Sequence, residues 1–283
     1  MHYMDKREQA ELDSKLRALK DVLLGLGSAA VAFSGGVDST LLLKVAHDVL
    51  GDNVIAVTAS SPVSPGWELE QASLLAKKMG VRHIVIQSKE LGMEEFQRND
   101  KNRCYYCKKE RFKGIWEIAK SNGVAHVIDG SNYDDLGDYR PGMEAAKELG
   151  VLSPMMEVKM TKSDVRRLSR MLALPTWDKP AYACLASRIP YGQAIDIQKL
   201  NMIEKAEELL MNKLGIRQVR VRHHGDTARI EVGSDERDKF FNTEIMDYVA
   251  RELKKLGFTY VALDLSGYRP GSMNESLKLK GEI

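Results

Sequence analysis

The sequence is short of several things, and each shortage narrows the field. Cysteine is scarce: three in 283 residues, an odd, low count that builds no disulfide framework and fits a reducing compartment. Charge of one sign is also missing. Lys and Arg number 42 against 40 Asp and Glu, a formal +2, so no bulk basic field pulls the chain onto nucleic acid. No apolar run approaches the ~20 residues of a membrane helix. The opening MHYMDKREQAELDSK carries charge where a signal peptide needs its apolar stretch. Internal repeats and low-complexity tracts are lacking too. With 43% apolar and 29% charged residues, disorder and fibre are excluded. The expectation is a cytoplasmic, soluble protein with no nucleic-acid and no membrane partner.

What is present alternates. Leu12, Leu16, Leu19, Leu23 and Leu26 recur at helical steps. A short apolar run at 29–33 follows, with further strand candidates at 54–58, 83–87 and 124–129. Helical patterns at about 66–79 and 105–121 separate them. Strands alternating with helices predict an α/β fold on a parallel sheet covered on both faces. Beyond residue 150 the rhythm changes. Thr161-Lys162-Ser163-Asp164 reads as a helix cap, and Pro175, Pro180 and Pro190 interrupt regular structure. The tail reads α-β-β-α-β: helix at about 196–213, hairpin at 218–222 and 228–232, helix at 239–256, strand at 258–265. This predicts two domains, 1–192 and a smaller α+β domain at 193–283, with the residues from about 272 loosely held.

The most informative segment is Ser34-Gly35-Gly36-Val37-Asp38-Ser39-Thr40. It closes a strand and opens a helix, so it sets several backbone N–H groups at a helix N-terminus, where they bind phosphate. Gly35 and Gly36 allow close approach, and Ser34, Ser39 and Thr40 add hydroxyl donors. The common Gly-x-x-x-x-Gly-Lys-Ser/Thr loop is absent. A missing lysine and an added Asp38 point to a different use of ATP. The plainer alternative is a tight strand-to-helix turn with Ser and Asp capping.

Two other sets carry chemistry. Cys104-Tyr105-Tyr106-Cys107 places two thiols at one helix start, and Cys184 stands alone in the proline-punctuated stretch. A redox pair, half a zinc site, buried apolar cysteines and a cluster site all remain open for the pair. Zinc would need four ligands, which only histidine could complete. Arg220 and Arg222, two apart on a strand, share a face and suit phosphate or carboxylate. The alternative is a solvated strand face.

Ser-Gly-Gly-Val-Asp-Ser-Thr resembles the signature of the PP-loop ATP pyrophosphatases. Longer segments resemble one branch, the LarE family: Arg103 to Lys108, Asp129 to Gly142, Cys184 to Gly192, Arg220 to Asp226 and Gly267 to Ser272. The resemblance spans about residues 12 to 274. It implies an ATP-dependent sulfur transferase that adenylates the carboxylates of a pyridinium-3,5-biscarboxylate mononucleotide and converts them to thiocarboxylates, toward a nickel-pincer nucleotide. Carried over, Ser34, Gly35, Gly36, Asp38, Ser39 and Thr40 hold the phosphates of ATP with Mg²⁺. Thr58, Ala59 and Ser60, with Gly130 and Asn132, are placed to hold adenine and ribose, at strand ends as the architecture requires. Ser187, Arg188, Arg220 and Arg222 are placed on the substrate's phosphate.

Family members divide by sulfur source. In one type a cysteine matching Cys184 gives up its own sulfur; in the other, three cysteines hold a [4Fe-4S] cluster with an open iron. Cys104, Cys107 and Cys184 resemble the second type. Without a cluster, Cys184 is the nucleophile, with Arg188 or Lys179 favouring its thiolate. Sulfide or a sulfur donor is the further partner, and the relatives imply a homo-oligomer, with hexamers among them. The rival readings are a tRNA-thiolating PP-loop enzyme, an ammonia-using ligase of the NAD or GMP synthetase kind, and a non-catalytic nucleotide-binding module. A tRNA enzyme would need a strongly basic face; the ligases need no three-cysteine set.

Overall fold

The computed structural model describes residues 6–137, 141–180, 182–269 and 271–272. The tail from 273 and Asp138-Tyr139-Arg140 of the long motif lie outside the described residues, as does Pro270. The rest falls into two compact units, one within Met1–Ser61, Gly66–Glu90 and Cys104–Ala181, the other within Pro62–Pro65, Leu91–Arg103 and Tyr182–Ile283.

The first unit is α/β. Its principal elements are α1 (Lys6–Leu26), β1 (Ala29–Ala32), α2 (Val37–Leu50), β2 (Val54–Ser60), α3 (Gly66–Lys78), β3 (Arg82–Gln87), α4 (Arg103–Ser121), β4 (Val127–Ile128), α5 (Pro141–Glu148) and α6 (Lys162–Met171). The strands form one parallel sheet in the order β3-β2-β1-β4, with Ala30 paired to Ile55 and to Val127. Successive strand side chains point to opposite faces, and the sequence supplies apolar residues at both. Ala29, Val31, Val54 and Ala56 pack in one layer with α1, α2, α3 and α6. Ala30, Ile55 and Val57 pack in the other with Phe112, Ile115 and Ala119 of α4. Leu41, Leu42 and Leu43 are fully buried on α2; each such side chain contributes about 1.5–3 kcal/mol, which mounts the preceding loop on a rigid helix. α6 starts as its sequence predicts: Thr161 and Asp164 form a reciprocal capping box.

The second unit is built on a three-stranded sheet in the order β5-β6-β7 (Val219–His224, Thr227–Val232, Tyr260–Leu263), the first pair antiparallel and the second parallel. Helices α7 (Ile197–Leu214) and α8 (Thr243–Lys255) cover it. Val219 and Val221 enter the apolar cluster with Leu210, Phe240 and Leu253. The alternate residues of β5, Arg220 and Arg222, therefore lie on the opposite face. Among the described residues no helix is long and apolar enough to cross a membrane.

Candidate active site

In the first unit the loop after β1 is shaped by its neighbours. Gly35 has φ +68, and a Cβ there would meet Cβ of Ala72 at 3.0 Å and its Cα at 3.1 Å, so only glycine fits. Gly36 is the N-cap of α2 and makes no side-chain cap bond; the helix therefore presents backbone N–H groups that no capping side chain occupies. Ser39 Oγ lies 3.1 Å from Ser34 Oγ and donates to the Gly36 carbonyl at 3.3 Å. Thr40 is fully buried, and its hydroxyl has no hydrogen-bond partner. Gly130 closes on the loop from the end of β4, where a Cβ would stand 2.9 Å from the Ser39 nitrogen.

Asp38 is held from two sides. Asn132 Nδ2 donates to its Oδ1 at 3.2 Å, and the Lys162 ammonium pairs with its Oδ2. Lys162 is anchored in turn, its backbone N–H donating to Asp134 at 2.8 Å. A second ammonium comes from Lys179, which donates to the Gly35 carbonyl and to Gln71 Oε1, both at 3.1 Å, beside the Trp67 ring. Burial pushes the Lys179 pKa below its ordinary value, against the pull of Glu68. Ser34, Gly35, Gly36, Asp38, Ser39, Thr40, Gly130 and Asn132 are thus gathered at one end of the parallel sheet. Thr58, in the stretch of β2 before Ala59 and Ser60, has its hydroxyl committed, donating to the Phe33 carbonyl at 2.7 Å with His83 Nε2 also at 2.7 Å. Ala59 and Ser60, half-buried, follow it in β2. Neither lysine is marked in sequence as a partner of the loop, since each comes from a distant segment; Lys179, named from the sequence as a group able to favour the Cys184 thiolate, donates to the nucleotide loop.

All three cysteines are thiols outside any disulfide. Cys104 and Cys107 stand one turn apart at the start of α4, the first exposed and the second half-buried. Cys107 Sγ donates to Glu90 Oε1 at 3.8 Å. Glu90 is fully buried, and the same oxygen accepts from Ser61 at 2.6 Å and Arg111 at 2.9 Å. Burial raises its pKa, but Arg111 and the serine bonds outweigh that and hold it below the ordinary carboxylate value. No group of three or more His, Cys, Asp or Glu residues suited to hold a metal occurs among the described residues.

Cys184 belongs to the second unit, at the N-cap of the turn Leu185–Arg188. That turn rests on Asn99, a buried residue with φ +54 whose Nδ2 donates to the carbonyls of Ile189, Pro190 and Gln193 at 3.2, 2.8 and 2.9 Å. Arg103 adds a bond to the Ala186 carbonyl at 3.3 Å. Arg188 is buried in a two-pronged pair with Glu207, both contacts 2.8 Å, and donates to the Cys184 carbonyl at 2.9 Å and to Ser187 Oγ at 3.0 Å. Arg222 pairs with buried Glu231 at 2.7 Å and donates to the Ser187 carbonyl at 3.0 Å; its Nε is buried with no acceptor. Arg220, 1% exposed, donates to the Val219 carbonyl at 2.7 Å. Ser187, Arg188, Arg220 and Arg222 therefore belong to one array in which arginines outnumber Glu207 and Glu231. Glu207 and Glu231 were invisible in sequence, since nothing local marks a helical or strand glutamate as an arginine's partner.

Comparison with known proteins now adds to the geometry. Residues 14–132 match the family described as NAD synthase. Across 271 residues the chain is 41% identical to the pyridinium-3,5-bisthiocarboxylic acid mononucleotide synthase of Lactiplantibacillus plantarum, covering 95% of this chain and 96% of that one. The chain belongs to the LarE family. An uncharacterized protein of Synechocystis sp. is 44% identical over 94% of this chain and 99% of its own length. Another from Methanocaldococcus jannaschii is 30% identical over 84% and 90% respectively. The LarE match runs through both units, whereas the NAD synthase match ends within the first.

Proposed function

We propose that this protein is an ATP-dependent sulfurtransferase that converts the carboxylates of a pyridinium-3,5-biscarboxylate mononucleotide to thiocarboxylates, in the cytoplasm and as a homo-oligomer. Two things support the reading together: a nucleotide loop with an uncapped helix N-terminus flanked by two lysines, and near full-length alignment with the plantarum synthase. The second carries it, because the tRNA-thiolating and ammonia-using alternatives would share the loop.

The chemistry follows from leaving groups. A carboxylate oxygen is expelled poorly, so the substrate oxygen first attacks the α-phosphorus of ATP and pyrophosphate departs. Sulfide sulfur then attacks the acyl carbon and AMP leaves. Backbone N–H groups of Val37, Asp38 and Ser39 and the Ser34 and Ser39 hydroxyls bind the departing pyrophosphate at the positive end of α2. Lys179 and Lys162 neutralise it, the latter by exchanging Asp38 for a phosphate oxygen. Asp38, the carboxylate within the loop motif, suits Mg²⁺, which takes one or two carboxylates plus substrate phosphates; bound there, the ion would share the polyphosphate charge. Thr58, Ala59, Ser60, Gly130 and Asn132 frame the adenosine end. Ser187, Arg220 and Arg222 receive the substrate's phosphate, with Arg188 fixing the turn through Glu207.

For the sulfur, three thiols fit a [4Fe-4S] cluster in kind and number. Cys104, Cys107 and Cys184 would hold it, and it would supply an iron open to the transferable sulfide. Anaerobic iron and sulfide analysis, followed by turnover counting with ATP, the pyridinium mononucleotide and added sulfide, tests this. Several turnovers per subunit with iron bound are expected. One turnover or fewer, with Cys184 losing its sulfur, overturns the carrier reading. No thiocarboxylate at all overturns the function.

A further inference from the structure

The start of the nucleotide loop hangs on a relay that begins on β3. The Phe33–Ser34 peptide is a planar unit whose C=O and N–H point to opposite sides. Its C=O accepts from the Thr58 hydroxyl at 2.7 Å, and its N–H donates to Ser39 Oγ at 3.3 Å. The Phe33 N–H donates to the Val57 carbonyl at 2.9 Å. Behind Thr58 stands His83, half-buried on the edge strand and paired with Ala56. Its Nε2 lies 2.7 Å from Thr58 Oγ, and its ring meets that of Phe33 edge-on, the centroids 5.9 Å apart. We propose that His83 is a positioning residue for the phosphate end of the nucleotide, acting on Ser39 through Thr58 and the Phe33–Ser34 peptide; this rests on the reading of Ser34 to Thr40 as the phosphate loop.

The physical case is a count of protons. A threonine hydroxyl has one proton and two lone pairs. The Phe33 carbonyl can only accept, so the Thr58 proton is committed there, and the bond to His83 needs a proton from Nε2. Burial lowers the His83 pKa below its ordinary value, so at neutral pH the ring carries a single N–H. The Thr58 bond assigns that proton to Nε2 and leaves Nδ1 unprotonated. A hydroxyl that accepts such a bond donates more strongly, because successive hydrogen bonds polarise one another. The consequence reaches the loop. With its C=O clamped, the Phe33–Ser34 peptide is held against rotation and its N–H stays on Ser39 Oγ. That oxygen, an acceptor from Ser34, directs its own proton to the Gly36 carbonyl at 3.3 Å, or to a phosphate oxygen that arrives in its place. Weakening the clamp leaves the peptide and the Ser39 hydroxyl to be ordered on binding, which lowers affinity.

Calorimetry with inorganic pyrophosphate and with ATP tests the relay. His83→Leu should weaken both about fivefold, the net of one hydrogen bond. Glutamine can place an N–H where Nε2 stands, and asparagine is too short to reach it. His83→Gln should therefore stay within about twofold of wild type, while His83→Asn should behave as His83→Leu. A double-mutant cycle isolates the route: in a Thr58→Val background, His83→Leu should lower affinity no further. Imidazole nitrogen NMR of the wild-type protein should show Nε2 protonated and Nδ1 not. Wild-type affinity in His83→Leu, a second loss of the same size on top of Thr58→Val, or a proton on Nδ1 overturns the inference alone. So does a loss confined to ATP, which places the effect at the adenosine end. Equal losses in His83→Gln and His83→Asn assign the ring to packing and overturn it as well. A wild-type protein that binds neither pyrophosphate nor ATP removes the loop reading and this one with it.

Discussion

Lys179→Met is the sharpest perturbation of the nucleotide loop. The ammonium it removes hydrogen-bonds the Gly35 carbonyl and Gln71 Oε1 at 3.1 Å each, 5.7 Å from the Trp67 ring centroid. A polyphosphate oxygen at about 4 Å would interact with it by about 4 kcal/mol at an effective dielectric near 20. Against the lost contacts, the net of one charge-assisted hydrogen bond is about 1.5–3 kcal/mol. The expected loss of ATP affinity is therefore about 10- to 150-fold. Methionine keeps the stem and removes a half-desolvated charge, so the melting temperature should hold within about 2 °C.

The pH dependence adds a second readout with a definite sign. Burial lowers the Lys179 pKa below 10.5, so folding disfavours the charged form. The cost is present below the folded pKa and disappears as pH rises through the window up to 10.5, where stability therefore rises. A bound polyanion raises the pKa again. ATP binding in that window should take up a proton, and affinity should fall as pH climbs through it. Calorimetry in buffers of different ionisation enthalpy measures the uptake. A Lys179→Met protein that keeps ATP affinity within about twofold of wild type, where the charge is worth at least tenfold, refutes the assignment. So does a variant with undiminished proton uptake.

Three further outcomes are expected. Gly35→Ala places a Cβ 3.0 Å from that of Ala72 at φ +68 and should lower unfolding stability by about 2 kcal/mol, read from denaturant midpoints; an unshifted midpoint is the contrary result. Glu90→Gln leaves Arg111 short of its buried carboxylate and should cost about 2 kcal/mol at neutral pH. Because the Glu90 pKa is lowered, its contribution is complete above 4.5 and is lost as pH falls through the folded value, so the two proteins should converge in acid; equal stability at pH 7 would count against it. Cys184→Ala should stop thiocarboxylate formation with ATP affinity unchanged, and product at the wild-type rate would exclude this cysteine.

The parts of the site legible in sequence are those whose chemistry is contiguous. Ser34 to Thr40 reads as a phosphate loop because strand end, glycine pair and helix start fall together, and Arg220 and Arg222 share a face because strand period is two. Boundaries follow local capping less readily. The helix expected at 239–256 divides into a 3₁₀ turn at Arg237–Phe240 and α8, because Asn242 caps Glu244 and Ile245, and the first-unit strand expected at 124–129 pairs only at Val127–Ile128. The chemistry that stayed hidden is assembled across distance. Lys162 reaches Asp38 over 124 residues and Lys179 reaches Gly35 over 144. Lys162 reads locally as the first residue of a capped helix, and Lys179 as one more charge before a proline. A phosphate loop that carries its lysine inside the motif declares its charge to any reader of sequence. Here the ammonium groups beside the loop come from two later segments, so a motif without a lysine does not mean a loop without one.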